Sequence, residues 1–350
     1  MDVLTIFIPP LDRKAEAASR ERWNHLTKPQ GSLGRLEDLG ARIAGMTGQP
    51  VPLLGRKVIF TVAADHGVAT DGVSAYPQSV TAQMVLNFLR GGAGINVLAR
   101  HAGAEVIVVD AGVAGEPLSA PGLLSRRVRA GTGNMLEGLA MSREEAERSV
   151  KNGMELFREA NSKQAIRLVG LGDMGIGNTT ASAALTAVFT GSRVEEVTGR
   201  GTGLDDQRLL RKVEVIEQAI RQHRPDSKDP LDVLSKIGGL EIGCLAGIAL
   251  AAAEARVPVV LDGFITSAAA LVAWRMEPAA RDYFIASHRS VEPGHNAILK
   301  ALELEPLLDL DLRLGEGTGA ALALSLIEAS LKLLAEMATF GEAGVDGKKP

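Results

Sequence analysis

Short continuous apolar runs alternate with stretches in which apolar positions recur every three or four residues, along almost the whole chain. The runs at 57–64, 105–109, 165–171, 257–261 and 282–286 predict strands buried on both faces, because a strand covered on one face would alternate polar and apolar. Between them the 3.6-residue period predicts helices at 11–26, 33–46, 79–100 (bent near Gly91-Gly92-Ala93-Gly94), 142–160, 179–189, 205–221, 242–255, 265–274 and 291–304. A last helix follows Glu316 and carries an apolar run from Ala320 to about Phe340. A short edge strand is expected at 126–129, and Ser142-Arg143-Glu144-Glu145 opens its helix with a capping box. The segment from His223 to Pro230 reads as a surface turn, and the tail from Gly341 to Pro350 as polar and frayed. Strands alternating with helices give an α/β fold, a mostly parallel Rossmann-like sheet with helices on both faces.

The strand ends share a feature. They run into Asp65-His66, Asp110 with Gly112, Gly172-Asp173, Asp262-Gly263 and Ser287-His288. Ligands of open α/β sheets bind just outside the carboxyl ends of the strands, so these pairs mark one rim as the candidate site.

Arg313-Leu314-Gly315-Glu316-Gly317-Thr318-Gly319 sets a carboxylate between glycines at a helix mouth, with Thr318 as the expected N-cap. Placed where water is scarce, such a glutamate has a raised pKa and serves as a general base; in open solvent it is only an acid beside a helix dipole. Gly172-Asp173-Met174-Gly175-Ile176-Gly177-Asn178-Thr179-Thr180 joins a strand to a helix and offers unpaired N–H groups to an anion. It lacks the full dinucleotide fingerprint and the lysine of a P-loop, and a tight strand–helix turn would use the same glycines. A second loop, Thr198-Gly199-Arg200-Gly201-Thr202-Gly203, adds donors and a cation, with Lys212 on the following helix. Two loops around one helix suit a single phosphomonoester, and no magnesium motif accompanies them.

Asp65-His66 and Ser287-His288 suggest a hydrolase triad, but no Gly-x-Ser-x-Gly elbow supplies a nucleophile. The six histidines have no metal-ligand spacing, so no metal or other cofactor is expected. Tyr76-Pro77 could stack on a planar heterocycle or simply pack in its turn. A net charge of −4 with interspersed signs argues against nucleic acid as the partner. One cysteine, Cys244, allows no internal disulfide and points to a reducing compartment. Met1–Ile8 has no basic leader, and the apolar run 243–253 is too short to span a bilayer, so the expectation is a cytoplasmic protein away from membranes.

Taken together, Lys28-Pro29-Gln30-Gly31-Ser32-Leu33-Gly34, Asp65-His66-Gly67, Gly72-Val73-Ser74-Ala75-Tyr76-Pro77, Gly175-Ile176-Gly177-Asn178-Thr179-Thr180, Leu261-Asp262-Gly263-Phe264, Ser287-His288 and Arg313-Leu314-Gly315-Glu316-Gly317 resemble the nicotinate-nucleotide–dimethylbenzimidazole phosphoribosyltransferase family, in the family's order. The resemblance implies a large α/β domain (50–305), a small helical domain from both chain ends (1–49 with 306–350) and a homodimer. It implies transfer of the phosphoribosyl group of nicotinate mononucleotide to 5,6-dimethylbenzimidazole in cobalamin nucleotide-loop assembly. It also places the family's general base on Glu316. The phosphate and ribose then fall to Gly175, Gly177, Asn178, Thr179, Gly201, Gly203 and Lys212, and the aromatic base to Tyr76, Gln83 and Met84. Some relatives carry a second glutamate where this chain has Asp173, so an assisting role there is a shorter-armed version of theirs. A nucleotide hydrolase, or a non-catalytic nucleotide or benzimidazole binder, would share much of this machinery.

Overall fold

The computed structural model describes residues 6–346, so the first part of the Met1–Ile8 segment and the last residues of the tail lie outside it. Six strands form one parallel sheet: β1 (Arg56–Ala64), β2 (Glu105–Gly112), β3 (Leu123–Ser125), β4 (Ile166–Met174), β5 (Val259–Leu261) and β6 (Phe284–Ala286). Their order across the sheet is β3-β2-β1-β4-β5-β6, with every neighbouring pair parallel. The chain therefore winds outward in one direction from β1, then restarts at β4 and winds in the other. The switch between β1 and β4 is where loops on the two sides splay apart and leave a crevice.

Helices cover both faces. Gly94–Ala102 and Thr318–Glu336 lie on one; Leu240–Glu254 and Phe264–Met276 lie on the other, the first of these backed by Arg143–Lys163. From Leu240 to Ala253 every residue is buried, as expected for a helix apolar on all sides. It meets Arg143–Lys163 at backbone distance: a Cβ on Gly153 would stand 1.9 Å from the Cys244 carbonyl oxygen, and one on Gly247 would stand 1.9 Å from that of Val150. Thr318–Glu336 is long and apolar enough to cross a membrane, yet here its buried residues, among them Ala320, Leu324 and Ile327, pack into the main core. Its far end joins Arg13–His25 and Arg35–Thr47 around a second, smaller core of Trp23, Leu26, Ala41 and Leu334.

Several expectations need correction. The edge strand is 123–125 rather than 126–129, where Arg126, Arg127 and Arg129 instead turn to Glu159, Asp110 and Glu145. The stretch 79–100 is two helices, because Gly91 at φ 79° ends the first. Pro230 starts a helix (Pro230–Ile237) that the turn signal hid: Asp229 caps it, and proline lacks only an N–H that the first turn leaves unpaired anyway. The helix expected at 291–304 is Pro293–Ala301. Within the tail, Phe340–Ala343 forms a short capped turn of helix. The N-cap of the last helix is Gly317, not Thr318, whose hydroxyl donates back to the Gly315 carbonyl at 2.9 Å.

Candidate active site

A cavity of about 490 Å³ opens at the carboxyl ends of the strands, within the size range of small-molecule sites. One wall follows β1 and brings Tyr76, Val80 and Met84; another follows β4, from Asp173 to Thr179. Segments after β5 and β6 add Phe264, His288, Ser290 and Glu292, and the loop before the last helix adds Arg313 through Glu316.

Glu316 is held from four directions. Three residues in succession, Gly315, Glu316 and Gly317, take positive φ of 83°, 65° and 100°. A glutamate there is strained backbone, kept in place only by its surroundings. Its N–H donates to the Asp173 carbonyl at 3.2 Å, and its own carbonyl accepts from the Thr61 hydroxyl at 2.9 Å. Gly172 in β4 permits this approach, since a Cβ there would lie 2.2 Å from the Glu316 carbonyl oxygen. Below the loop Asp262 accepts from the N–H groups of Gly317, Gly319 and Ala320 at 3.2, 2.6 and 3.1 Å, satisfying the donors that open the last helix. The side chain is then aimed by a fourth contact, its Oε2 accepting from the Ile95 N–H at 3.0 Å, at the start of another helix.

Glu316 is 5% exposed, and burial raises its carboxyl pKa, with the Asp262 charge adding to the rise and the Ile95 N–H opposing it. Asp173 stands beside it with its pKa pushed further, well above the ordinary range, first by burial and then by Asp262 and Glu241. Asn178 donates to Asp173 Oδ2 at 3.0 Å, while Oδ1 has no partner among the described residues. Both carboxyls in the cavity are thus raised in pKa, Asp173 further than Glu316, and only Glu316 has its side chain aimed by a backbone N–H alone.

On the glycine-rich side, the buried Lys212 donates to Thr179 Oγ1 at 2.8 Å and to the Gly199 carbonyl at 3.0 Å. Burial lowers its pKa to about 8, against the opposing pull of Glu292. Lys212 therefore stands behind the wall that Gly175, Asn178, Thr179 and Gly201 form. Gly177 is the buried cap of the Asn178–Thr190 helix, one layer back, with its Cβ position 3.0 Å from His66. Tyr76 and Met84 line the cavity; Gln83 and Gly203 are solvent-exposed and outside its lining.

Further contacts complete the site, those of Glu292 and Ser290 among residues the sequence did not single out. Glu292 accepts from the Gly201 N–H at 2.8 Å, and Arg313 donates to the Gly201 carbonyl at 3.2 Å. Ser290 is fixed from behind by His295, whose Nδ1 accepts from its N–H at 2.9 Å. Burial and the nearby His288 and Arg289 lower the His295 pKa to about 3, so the ring stays neutral and can accept. His66 and Glu241 pair at 2.6 Å in the core beneath the rim. The Lys28 motif lies away from the cavity, where Lys28 bonds Glu37 at 2.7 Å beside Trp23. Among the described residues no cluster of His, Cys, Asp and Glu has the arrangement of a metal site.

A family model described as phosphoribosyltransferase matches residues 8–345. A nicotinate-nucleotide–dimethylbenzimidazole phosphoribosyltransferase of Chloroflexus aggregans is 58% identical over 342 residues, covering 98% of this chain and 97% of the relative. One from Roseiflexus sp. is also 58% identical, over 97% and 96% of the two chains. The crystal structure of CobT from Thermus thermophilus superposes with a TM-score of 0.91 at 51% identity, covering 96% of this chain and 100% of that one.

Proposed function

The chain belongs to the nicotinate-nucleotide–dimethylbenzimidazole phosphoribosyltransferase family, and from that premise we propose that it moves the 5-phosphoribosyl group of nicotinate mononucleotide onto 5,6-dimethylbenzimidazole. Nicotinate leaves, and α-ribazole 5′-phosphate forms for cobalamin synthesis. The observation that carries the mechanism is the buried Glu316 carboxyl at the rim of the cavity, oriented by Ile95 and raised in pKa.

The pyridinium leaving group is already cationic and departs without protonation. Attack by one benzimidazole nitrogen from the opposite face inverts the anomeric carbon. The other ring nitrogen then carries a proton that must go, and Glu316 takes it. General-base help of this kind contributes roughly 100- to 10,000-fold; positioning two reactants in one cavity supplies much of the rest. Asp173, whose carboxyl pKa burial pushes well above the ordinary range, is suited to assist as a hydrogen-bond donor. The phosphate lies against Gly175, Asn178, Thr179 and Gly201 with the Lys212 charge behind, and the acceptor ring between Tyr76 and Met84.

This proposal includes a homodimer working in the cytoplasm. It also includes a division into a large α/β substrate-binding domain (50–305) and a small helical domain from 1–49 with 306–350; the small core around Trp23 and Leu334 supports it, while the last helix also packs into the main core. Incubation with both substrates and mass analysis of the products tests the activity. The expected products are α-ribazole phosphate and one equivalent of nicotinate. Nicotinate release at the same rate with and without dimethylbenzimidazole would contradict it.

A further inference from the structure

Ser290 and Glu292 stand on the cavity wall in the turn between β6 and the Pro293–Ala301 helix, where neither belongs to a strand or helix. A buried chain of hydrogen bonds holds them instead. Ser267, in the Phe264–Met276 helix, meets His295 Nε2 at 3.0 Å, and His295 Nδ1 accepts from the Ser290 N–H at 2.9 Å. The Ser290 hydroxyl accepts from the Glu292 N–H at 3.3 Å, and Glu292 Oε1 accepts from the Gly201 N–H at 2.8 Å. Ser267, His295, Ser290 and Glu292 are all buried. The chain has a fixed direction. A backbone N–H can only donate, so Nδ1 carries the lone pair and Nε2 the proton, which goes to the Ser267 hydroxyl oxygen. A charged ring, or the other tautomer, would set two donors against each other at Ser290.

At its far end the chain reaches a loop that no strand or helix covers, 198–205. Lys212 holds this loop through the Gly199 carbonyl at 3.0 Å. Glu292 holds it through the Gly201 N–H and by packing against Gly199, where a Cβ would stand 2.2 Å from Oε2. The turn and the loop also meet at backbone distance, since a Cβ on Gly294 would lie 2.6 Å from the Val197 carbonyl oxygen. Packing this close transmits a shift of the turn to the loop instead of absorbing it.

We propose that His295 is a positioning residue for the nucleotide: through Ser290 and Glu292 it fixes the Gly201 loop against which the phosphate lies, without touching substrate itself. This rests on the phosphoribosyl transfer above and adds a buried side chain on which nucleotide affinity depends.

Two substitutions separate the two ends of the ring. His295→Asn places an amide oxygen where Nδ1 was, keeping the acceptor for Ser290 and losing Ser267. His295→Gln reaches the Nε2 position, keeping a partner for Ser267 and leaving the buried Ser290 N–H without an acceptor. The measurements are calorimetric Kd for nicotinate mononucleotide and KM for each substrate. H295Q is expected to weaken nucleotide binding and raise its KM on the order of 10-fold, as for one buried donor left unpaired. KM for dimethylbenzimidazole, placed between Tyr76 and Met84, should stay within about twofold, because the lost contact lies at another wall. H295N should keep nucleotide affinity close to that of the unaltered chain. A role in packing alone predicts the reverse order, with the smaller asparagine the worse. Equal losses in the two variants, a larger loss in H295N, or full affinity in H295Q would overturn the assignment. Nitrogen NMR of the unaltered chain, labelled in histidine, tests it whether or not the variants fold. The His295 ring should be neutral with its proton on Nε2, and a proton on Nδ1 would overturn the assignment. No transfer by the unaltered chain would instead remove the function on which the assignment rests.

Discussion

A carboxylate becomes a stronger base when its surroundings raise its pKa without denying it a proton. Glu316 meets this through burial and the Asp262 charge, both raising its pKa, set against one N–H from Ile95. The base acts only when deprotonated, so kcat is expected to rise with pH through an inflection above the ordinary glutamate value. Lys212 supplies the opposite limb. Its pKa is lowered to about 8, its cation attracts the phosphate, and kcat/KM for the nucleotide is expected to fall as pH passes about 8 in the free enzyme. A profile of kcat and kcat/KM against pH checks both, and Lys212→Met should abolish the falling limb. Glu316, Asp173 and the glycine loop were legible because glycine-flanked polar residues at a strand end or a helix mouth are local signals. Glu292 was not: it lies in an irregular segment and gains its place only when the turn after β6 brings it to Gly201, and the contact of Arg313 with that loop is likewise visible only in the fold.

Among the elements, close backbone contact decides what can be substituted. The Arg143–Lys163 and Leu240–Glu254 helices touch through Gly153 and Gly247, where an added Cβ would meet carbonyl oxygens 1.9 Å away. These are backbone atoms and cannot rotate aside. Gly153→Ala is expected to cost at least about 3 kcal/mol of stability, beyond the usual range for overpacking, as read by urea denaturation. Buried strands and amphipathic helices were readable from the sequence because each period reflects local burial. The Pro230–Ile237 helix was hidden because proline in a polar stretch signals a turn as readily as a helix start. The edge strand was displaced because Leu123-Leu124-Ser125 is too short for a period.

For the whole molecule, the doubly wound sheet explains why residues as distant in sequence as Thr61, Asp173, Asp262 and Glu316 share one rim: each sits in or beyond a strand near the β1–β4 switch. The same packing buries Cys244 completely and raises its thiol pKa to about 12. The thiolate is the reactive form, so a thiol reagent at neutral pH is expected to modify Cys244 only after denaturation. Rapid labelling of the folded chain would show that this core opens readily. The most direct test of the proposed mechanism is single-turnover transfer by Glu316→Gln, followed by mass analysis of products alongside calorimetric binding of nicotinate mononucleotide. The glutamine keeps an acceptor for the Ile95 N–H but cannot take the benzimidazole proton. The account predicts nucleotide affinity close to that of the unaltered chain, with the transfer rate lowered roughly 100- to 10,000-fold; a variant that binds and transfers at the original rate would contradict it.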